Sequence, residues 1–483
     1  MSKSYPKYVD QDNKEMVQIY NSLEDGSESI LLLGKAGSGK TTFLQNYIKD
    51  KFSKSIVTIA PTGIAALNAG GQTIHKFFGF SFEPKVPNDS ASLGRVKGSN
   101  VGVIEGMDIL VIDEVSMVRA DLLDAIDYTM RSIRINDSPF GGVKVLMVGD
   151  PYQLSPVYKF EEKKVLSKHY KDLNFFDAKV FQGDIKCIEL KKVYRQNDQE
   201  FLDILNNIRL NRDVFKSVTK LNKTCIHREL EGAAIELAPT NAVAKEINSR
   251  HLYELTTNEY DFSGSFQGEF DKNSLPTDEV LKLKVGSQVM FVKNDQEERY
   301  VNGTIGIVKE ISNGIDPYIK VQVSDDKELI KVGRHMWENF QYKSVKGRVE
   351  KKITGSFTQI PLKLAWAVTI HKSQGLTFDK MRLNMGKGMF NAGQLYVALS
   401  RCKTLEGLSI IGRIRPSDVK SVDVINEFIV KTKRGEINLA KMSEEERVVQ
   451  EFIDETQPSE WALENGVMIE HLVDFYKYIN SRL

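Results

Sequence analysis

The segment Gly34-Lys35-Ala36-Gly37-Ser38-Gly39-Lys40-Thr41 constrains this chain more than any other, because it follows the apolar run Leu31 to Leu33 and opens into a helical pattern. Two glycines, a lysine and a hydroxyl residue at this spacing form a phosphate-binding loop. The glycines let backbone N–H groups wrap phosphate oxygens, Lys40 neutralises the β and γ groups, and Thr41 ligates Mg²⁺ at the helix start. The residues expected around a nucleotide triphosphate are therefore Gly34, Ala36, Gly37, Ser38, Gly39, Lys40, Thr41 and Thr42. A loop of this kind sits between a buried strand and a helix, so the surrounding chain is expected to build a parallel α/β sheet.

The rest of the sequence agrees with that demand. Short runs rich in Val, Ile and Leu recur at Ile30 to Leu33, Ile56 to Ala60, Ile109 to Ile112 and Val143 to Val148, each followed by Gly, Pro or Asp. A second alternating region begins near Cys187 and includes Ala234 to Ala238, Leu364 to Val368 and Leu408 to Ile411, which predicts a second α/β domain. Between Leu283 and Val332 the pattern changes to strict alternation around Asn302-Gly303, a hairpin signal, and predicts a small antiparallel barrel inserted into that domain. The stretch from Phe82 to Gly102, rich in Pro, Ser, Gly and Asn, reads as a loop or small excursion from the first domain.

Two further strands deliver chemistry to their C-terminal tips, where parallel sheets bind ligands. Leu110 to Ile112 ends in Asp113-Glu114; Asp113 is expected to hold Mg²⁺ through water, and Glu114 to orient and deprotonate the attacking water. Val143 to Val148 ends in Gly149-Asp150-Pro151-Tyr152-Gln153, whose neutral amide Gln153 can bond both γ-phosphate and water. Arg195 and Arg401 are candidates for the remaining transition-state charge, although each arginine taken alone reads more readily as a surface residue.

Composition excludes several classes. Lys and Arg number 66 against 65 Asp and Glu, so no global cationic field coats nucleic acid and any such contact must be local. Cys187, Cys225 and Cys402 form no CxxC pair, which argues against a zinc site or a disulfide framework. Met1 to Lys14 is polar, and no apolar run approaches the roughly 18 residues of a membrane span, so a cytoplasmic protein with no membrane partner is expected.

Taken in order, the stretches GKAGSGKTT, APTGIAALNAGGQTIHKFFG, LVIDEVSMVRADLLD, PFGGVKVLMVGDPYQLSPV, ELKKVYRQ, LAPTNAVAKEIN, LKLAWAVTIHKSQGLTFD and QLYVALSRC resemble the Pif-type, RecD-like DNA helicases of superfamily one, B branch, in their bacterial or phage form. The resemblance spans Leu31 to Cys402. It implies two RecA-like domains with ATP between them, an SH3-like barrel in the second, a short wedge insertion in the first and 5′-to-3′ travel on single-stranded DNA. Written as boundaries, the expectation is a first domain over 1–185 with its wedge near 80–103, a second over 186–274 and 353–430, the barrel over 275–352 and a helical tail over 431–483. ATP and Mg²⁺ are the implied cofactors, and single-stranded and forked or tailed duplex DNA the implied partners of a monomer.

By the same resemblance Thr62, Gly63, Thr73, His75, Lys76 and Phe77 line the strand channel in the first domain, and Pro239, Thr240, Asn241, Thr369, His371 and Lys372 do so in the second. Hydroxyls and amides at strand tips bond phosphate oxygens, while His75 and Phe77 offer rings to bases. Gln374 and Gly375 are expected to link this contact to the nucleotide, and Gln11 and Gln18 are equal candidates for the adenine. The cluster Lys343, Lys346, Arg348, Lys351 and Lys352, beside Tyr342, reads either as a track for a nucleic-acid backbone or as a solvated hairpin. Two rivals to a helicase are a translocase that remodels complexes without unwinding and a nucleotide-gated strand-binding module. The Asp113-Glu114 pair speaks against the second, because a pure switch needs no hydrolytic base.

Overall fold

The computed structural model describes residues 5–433 apart from 26–27, 52–53, 88–95, 97, 183–184, 195–197, 273–274, 296, 298, 315, 324–328, 347, 390 and 421–422. Arg195, the centre of the expected wedge and the tail after Lys433 therefore lie outside the described residues.

Strands β1 (Ser29–Gly34), β2 (Ile56–Ala60), β3 (Gln72–Thr73), β4 (Ile109–Ile112), β5 (Lys144–Gly149) and β6 (Ile185–Leu190) form a six-stranded sheet in the order β3-β2-β4-β5-β1-β6. Every neighbouring pair is parallel. The strands are apolar without alternation because both faces are covered. Ile30, Leu32, Val111, Leu146 and Val148 face α1 (Lys14–Asp25) and α2 (Lys40–Asp50), which contribute Ile19, Leu23, Phe43 and Tyr47. Leu31, Leu33, Val57, Ile59, Leu110 and Ile112 face the other way, into the main core. Short helices α3 (Gly63–Asn68) and α4 (Ile74–Phe78) follow β2 and β3, and α5 (Gly98–Gly106) and α6 (Ala120–Arg134) flank β4. The strand through Cys187, expected to open the second domain, instead pairs with β1 along Ser29 to Gly34. Its sequence shows only that it is a strand, and nothing local says which sheet it joins.

The second sheet has four parallel strands in the order Ala367–Thr369, β7 (Ile235–Ala238), Met381–Asn384, Leu408–Ile411. Helices α8 (Gln199–Leu210), α9 (Val214–Cys225) and α11 (Gln394–Leu399) pack on one side, and α10 (Asn241–Glu254) buries Ala244 and Ile247 against Ala238 and Ala367 on the other. Two parallel α/β units are thus present, as expected. Helix α7 (Phe160–Leu166) follows the Gln153 loop, and α12 (Asp423–Lys433) returns to the first unit, stacking Phe428 on Phe176 at 4.3 Å.

Between β7 and Ala367 lies an antiparallel module of three sheets. Strands Leu329–Val332, Tyr318–Gln322, Ile305–Ser312, Gln288–Phe291 and Leu362–Leu364 form the largest. Phe262, Leu281, Val289, Phe291, Val308, Ile319 and Val321 fill its core. The strands run on both sides of the 275–352 interval, since Glu259–Ser263, Ser265–Gly268 and Leu362–Leu364 belong to them. Asn302-Gly303 does not make a two-residue hairpin. It ends a longer loop after Phe291, in which the Gly303 N–H bonds the Phe291 carbonyl at 2.9 Å and Tyr300 stacks on Phe291 at 3.8 Å.

The module's long hairpin, His335–Val345 with Arg348–Gln359, crosses to the first unit. The Tyr342 hydroxyl accepts the Thr58 N–H at 3.0 Å, the Phe340 carbonyl accepts Gln72 Nε2 at 2.5 Å, and Lys351 Nζ donates to the Gly70 carbonyl at 2.6 Å. Tyr342 is buried edge-on to Phe77. The basic hairpin is therefore a strut between the units, with Lys346, Arg348 and Lys352 left on its exposed side. Among the described residues no helix is long and apolar enough to cross a membrane.

Candidate nucleotide cleft and nucleic-acid interface

The loop after β1 is shaped by its glycines. Gly37 and Gly39 lie at φ +79° and +84°, where a side chain is strained, and a Cβ on Gly34 would stand 2.5 Å from Ser38 Oγ. Lys40, first residue of α2, folds back so that Nζ donates to the carbonyls of Gly34 at 2.5 Å and Lys35 at 3.1 Å. Burial lowers its pKa, opposed by the charges of Asp150, Glu114 and Asp113. Ser38 Oγ is buried with no hydrogen-bond partner. A buried hydroxyl without a partner, in a glycine-rich loop at a helix start, suits phosphate oxygens. Thr41 and Thr42 are exposed beside it.

Asp113 and Glu114 stand at the tip of β4, one strand from β5, with Glu114 held at φ +52°. Burial, then the neighbouring Glu114, raise the Asp113 pKa to about 7. Glu114 is also raised by burial, against the pull of Lys40 and Arg401. A side chain of the second unit reaches both the Glu114 carboxylate and Gln153. Gln374 Nε2 donates to Glu114 Oε2 at 3.0 Å and to Gln153 Oε1 at 3.1 Å. Arg401, 1% exposed, donates to the carbonyls of Val397 and Leu376 and to Ser400 Oγ, within its own unit. Gly375 lies exposed at φ +82° beside Gln374.

Near the loop, Gln11 sits in the turn that carries Asp10 and Asn13. Asp10 accepts from the Tyr194 hydroxyl at 2.5 Å, Asn13 Nδ2 donates to it at 3.2 Å, and the Tyr194 ring lies against Gly39. Gln18 is exposed within α1. The structure thus brings the turn of Gln11 to the phosphate loop.

The expected strand contacts fall at the C-terminal tips of both sheets. Thr62, Thr73, Thr240 and Thr369 each accept a backbone N–H three residues on, from Ala65, Lys76, Val243 and Lys372, at 3.2 to 3.4 Å. Each is thereby fixed at the start of a helix or turn. Gly63 opens α3, Asn241 opens α10 and Pro239 precedes it. His75 stacks on the exposed Phe82 at 4.5 Å, and Lys76 Nζ donates to Asn339 Oδ1 of the hairpin at 2.9 Å. Phe77 is fully buried, so it offers no face to a base; Ile74, Phe77 and Phe78 are the apolar stripe of α4. His371 is half-buried and its pKa is lowered by that burial, while Lys372 is exposed.

The PIF1-like helicase family matches residues 9–216, and the 2B domain of DNA helicase Pif1 matches residues 266–311. The unliganded Pif1 structure from a Bacteroides species is 39% identical, covering 87% of this chain and 96% of that one, with a TM-score of 0.79. This chain belongs to the PIF1-like helicase family. The structure of Bacteroides Pif1 bound to ssDNA is 38% identical over 89% of this chain and 98% of that one, with a TM-score of 0.63. The ATP-dependent DNA helicase PIF1 of Danio rerio is 32% identical over 87% of this chain, which spans 64% of that protein's length.

Within this PIF1-like cleft, three residues escaped the sequence reading. Asn13 and Tyr194 flank the phosphate loop; Asn13 has no charge or motif that marks it, and Tyr194 lies within ELKKVYRQ, where only its neighbour Arg195 was singled out. Arg209 carried a signal: it continues the buried face Phe201, Ile204, Leu205 and Ile208 of α8, and a charge on such a face requires a partner. Its partner is Asp150, at 3.1 Å.

Proposed function

We propose that this chain is an ATP-dependent DNA helicase that travels 5′-to-3′ on single-stranded DNA and opens forked or tailed duplex ahead of it. The observation that carries the reading is the Gln374 bridge. A residue five positions beyond Thr369, in the loop that faces the strand, touches both the base Glu114 and the γ-phosphate reporter Gln153. A hydrolytic site and a strand-gripping loop in direct contact are what a motor needs and a passive binding module does not. The names of the relatives, an ATP-dependent DNA helicase and a Pif1 bound to ssDNA, support the same reading. Both parallel sheets of the cleft come from one chain, which supports a monomer as the working unit.

In this reading Gly34 to Thr42 cradle the phosphates, Lys40 turns from its two carbonyls to the β and γ groups, and Gln11 reads the adenine. Thr41 and Asp113 would hold Mg²⁺, which supplies positive charge to phosphate oxygens. The single hydroxyl and carboxylate suit an ion that takes its other ligands from phosphate and water. Glu114 accepts the proton of the attacking water, and Gln153 orients that water. Arg401 exchanges its Val397 and Leu376 carbonyls for the γ-phosphate as the units close, and Arg195 is assigned the same task. Thr62, Gly63, Thr73, His75 and Lys76 grip the strand from the first unit. Pro239, Thr240, Asn241, Thr369, His371 and Lys372 grip it from the second. Phe82, stacked on His75, takes the role first read for Phe77.

Strand displacement with ATP and Mg²⁺ on matched duplexes bearing a 5′ or a 3′ single-stranded tail tests the proposal. Unwinding of the 5′-tailed duplex alone is expected, and Lys40→Ala should abolish turnover while leaving strand binding intact. DNA-stimulated hydrolysis with neither duplex opened would instead identify a remodelling translocase.

A further inference from the structure

The two parallel units meet at a buried carboxylate. Asp150, which follows β5, is 1% exposed, and both its oxygens are held by side chains from the second unit. Arg209 Nη2, on α8, donates to Oδ1 at 3.1 Å, and the Tyr396 hydroxyl, on α11, donates to Oδ2 at 3.2 Å. The same hydroxyl accepts the backbone N–H of Ala36 in the phosphate loop at 3.2 Å. Arg209 lies over the Tyr152 ring at 4.2 Å and 3.6 Å from Glu189 on β6. Gly393, at the start of α11, packs so closely that a Cβ there would stand 2.2 Å from the Gln153 carbonyl.

A buried ion pair contributes no more stability than apolar side chains of the same volume, so stability alone does not account for it. What a carboxylate supplies that a leucine cannot is two acceptors in fixed directions. Here each acceptor meets a different helix of the opposite unit, and Oδ1 also accepts the Tyr152 N–H of its own turn at 3.2 Å, which fixes the carboxylate in the first unit. Asp150 stands three residues before Gln153, and Tyr396 five residues before Arg401. A shift of α11 about Asp150 therefore moves Arg401 against the phosphate loop.

We infer that Arg209 and Tyr396 are positioning residues for ATP hydrolysis: gripping the two oxygens of Asp150, they form the pivot on which the units close, and they set where Arg401 meets the phosphates. The inference rests on the ATPase reading above. It assigns work to three side chains to which the reading above gives no phosphate- or strand-binding role.

The test is DNA-stimulated ATPase activity of Tyr396→Phe, which keeps the ring and removes only the hydroxyl. Its kcat should fall roughly tenfold while the affinity for fluorescent ADP stays within about twofold, as for an interaction realised in the transition state. Tyr170→Phe is the control, because it removes a tyrosine–aspartate bond of similar burial, to Asp124 at 2.9 Å, away from the cleft. It should lose a similar amount of thermal stability and keep its kcat. Arg209→Lys should resemble Tyr396→Phe, and the double variant should be no more than about twofold below the worse single variant, because both act through one carboxylate. Should Arg209→Lys fail to fold, Tyr396→Phe decides alone. An active wild type with an unaffected Tyr396→Phe kcat overturns the inference, as do losses that multiply in the double variant. A wild type that does not hydrolyse ATP overturns the functional reading, and this inference with it.

Discussion

Replacing Gln374 by Leu removes one amide and two hydrogen bonds without changing the side-chain length much. The bond to Glu114 Oε2, at 3.0 Å, is charge-assisted when the carboxylate is ionised and contributes about 1.5–3 kcal/mol; the bond to Gln153 Oε1, at 3.1 Å, contributes about 0.5–1.5 kcal/mol. Where both contacts act fully in the transition state, the combined loss of about 2–4.5 kcal/mol lowers kcat by roughly 30- to 2,000-fold, since about 1.4 kcal/mol corresponds to a factor of ten. A second effect follows from the titration of Glu114. Burial raises its pKa, and Lys40, Arg401 and the Gln374 bond pull it back down. Without Gln374 one downward influence is gone, so the pKa rises further and the acid limb of the kcat profile moves to higher pH. DNA-stimulated ATPase measured across the neutral range, with strand affinity followed by anisotropy, reads both effects. A kcat that drops while the acid limb stays fixed would mean that Gln374 acts on something other than Glu114. An unchanged kcat would make the bridge incidental.

Other expectations follow from single contacts. Asp113 has its folded pKa raised from 3.8 to about 7, by burial first and Glu114 second. The fold thus favours the protonated acid: this stabilisation is full below the unfolded value and is lost as pH rises through about 7. Denaturation of the nucleotide-free chain should show Asp113→Asn more stable than wild type by a few kcal/mol above about pH 8, with the difference vanishing toward about pH 4; a constant difference would refute the shift. Phe77→Ala should cost about 3–5 kcal/mol of stability as a core truncation. Phe82→Ala should leave the melting temperature in place and weaken strand binding by about 1–3 kcal/mol. Strand binding lost in a stably folded Phe77→Ala variant would reverse those roles. Tyr342→Phe leaves the buried Thr58 N–H without its 3.0 Å acceptor, at a cost of about 1–3 kcal/mol. Hydrogen exchange at Thr58 and along residues 335–359 should quicken, and unaltered exchange would show that the hairpin is held elsewhere.

Much of the cleft was legible because its chemistry is local. A glycine-rich loop ahead of a lysine and a strand that ends in two carboxylates appear within a few positions of the chain, whereas the threonines at the strand tips came only from the family resemblance. The antiparallel module was legible as alternation between Leu283 and Val332, but its first strands were not, since Glu259–Ser263 and Ser265–Gly268 alternate with mostly exposed side chains. Nor did the sequence reveal that β6 pairs with β1, because a strand of six residues carries no address. Phe77 was misjudged for a related reason. Its neighbour His75 lies near the strand tips, but on a helix of five residues a shift of two positions turns a ring from the channel to the core.

The contacts that join the units were the least legible. Asp150 is 59 residues from Arg209 and 246 from Tyr396, and Gln374 is 260 from Glu114. No periodicity or motif spacing encodes pairs so remote. What the sequence does contain is each half of the conflict they resolve: an arginine continuing an apolar helix face, an aspartate within a turn otherwise buried, a tyrosine hydroxyl in the apolar run Leu395 to Leu399. Each half alone is a buried polar group costing about 1–3 kcal/mol if unpaired. Three such groups within one chain are evidence for one another, because each finds a partner among the others beside a second one: the Tyr152 N–H for Asp150, Glu189 for Arg209 and the Ala36 N–H for Tyr396. Unmatched polar groups on buried faces can therefore be read as a set, and in this fold the set marks a point at which the two units meet.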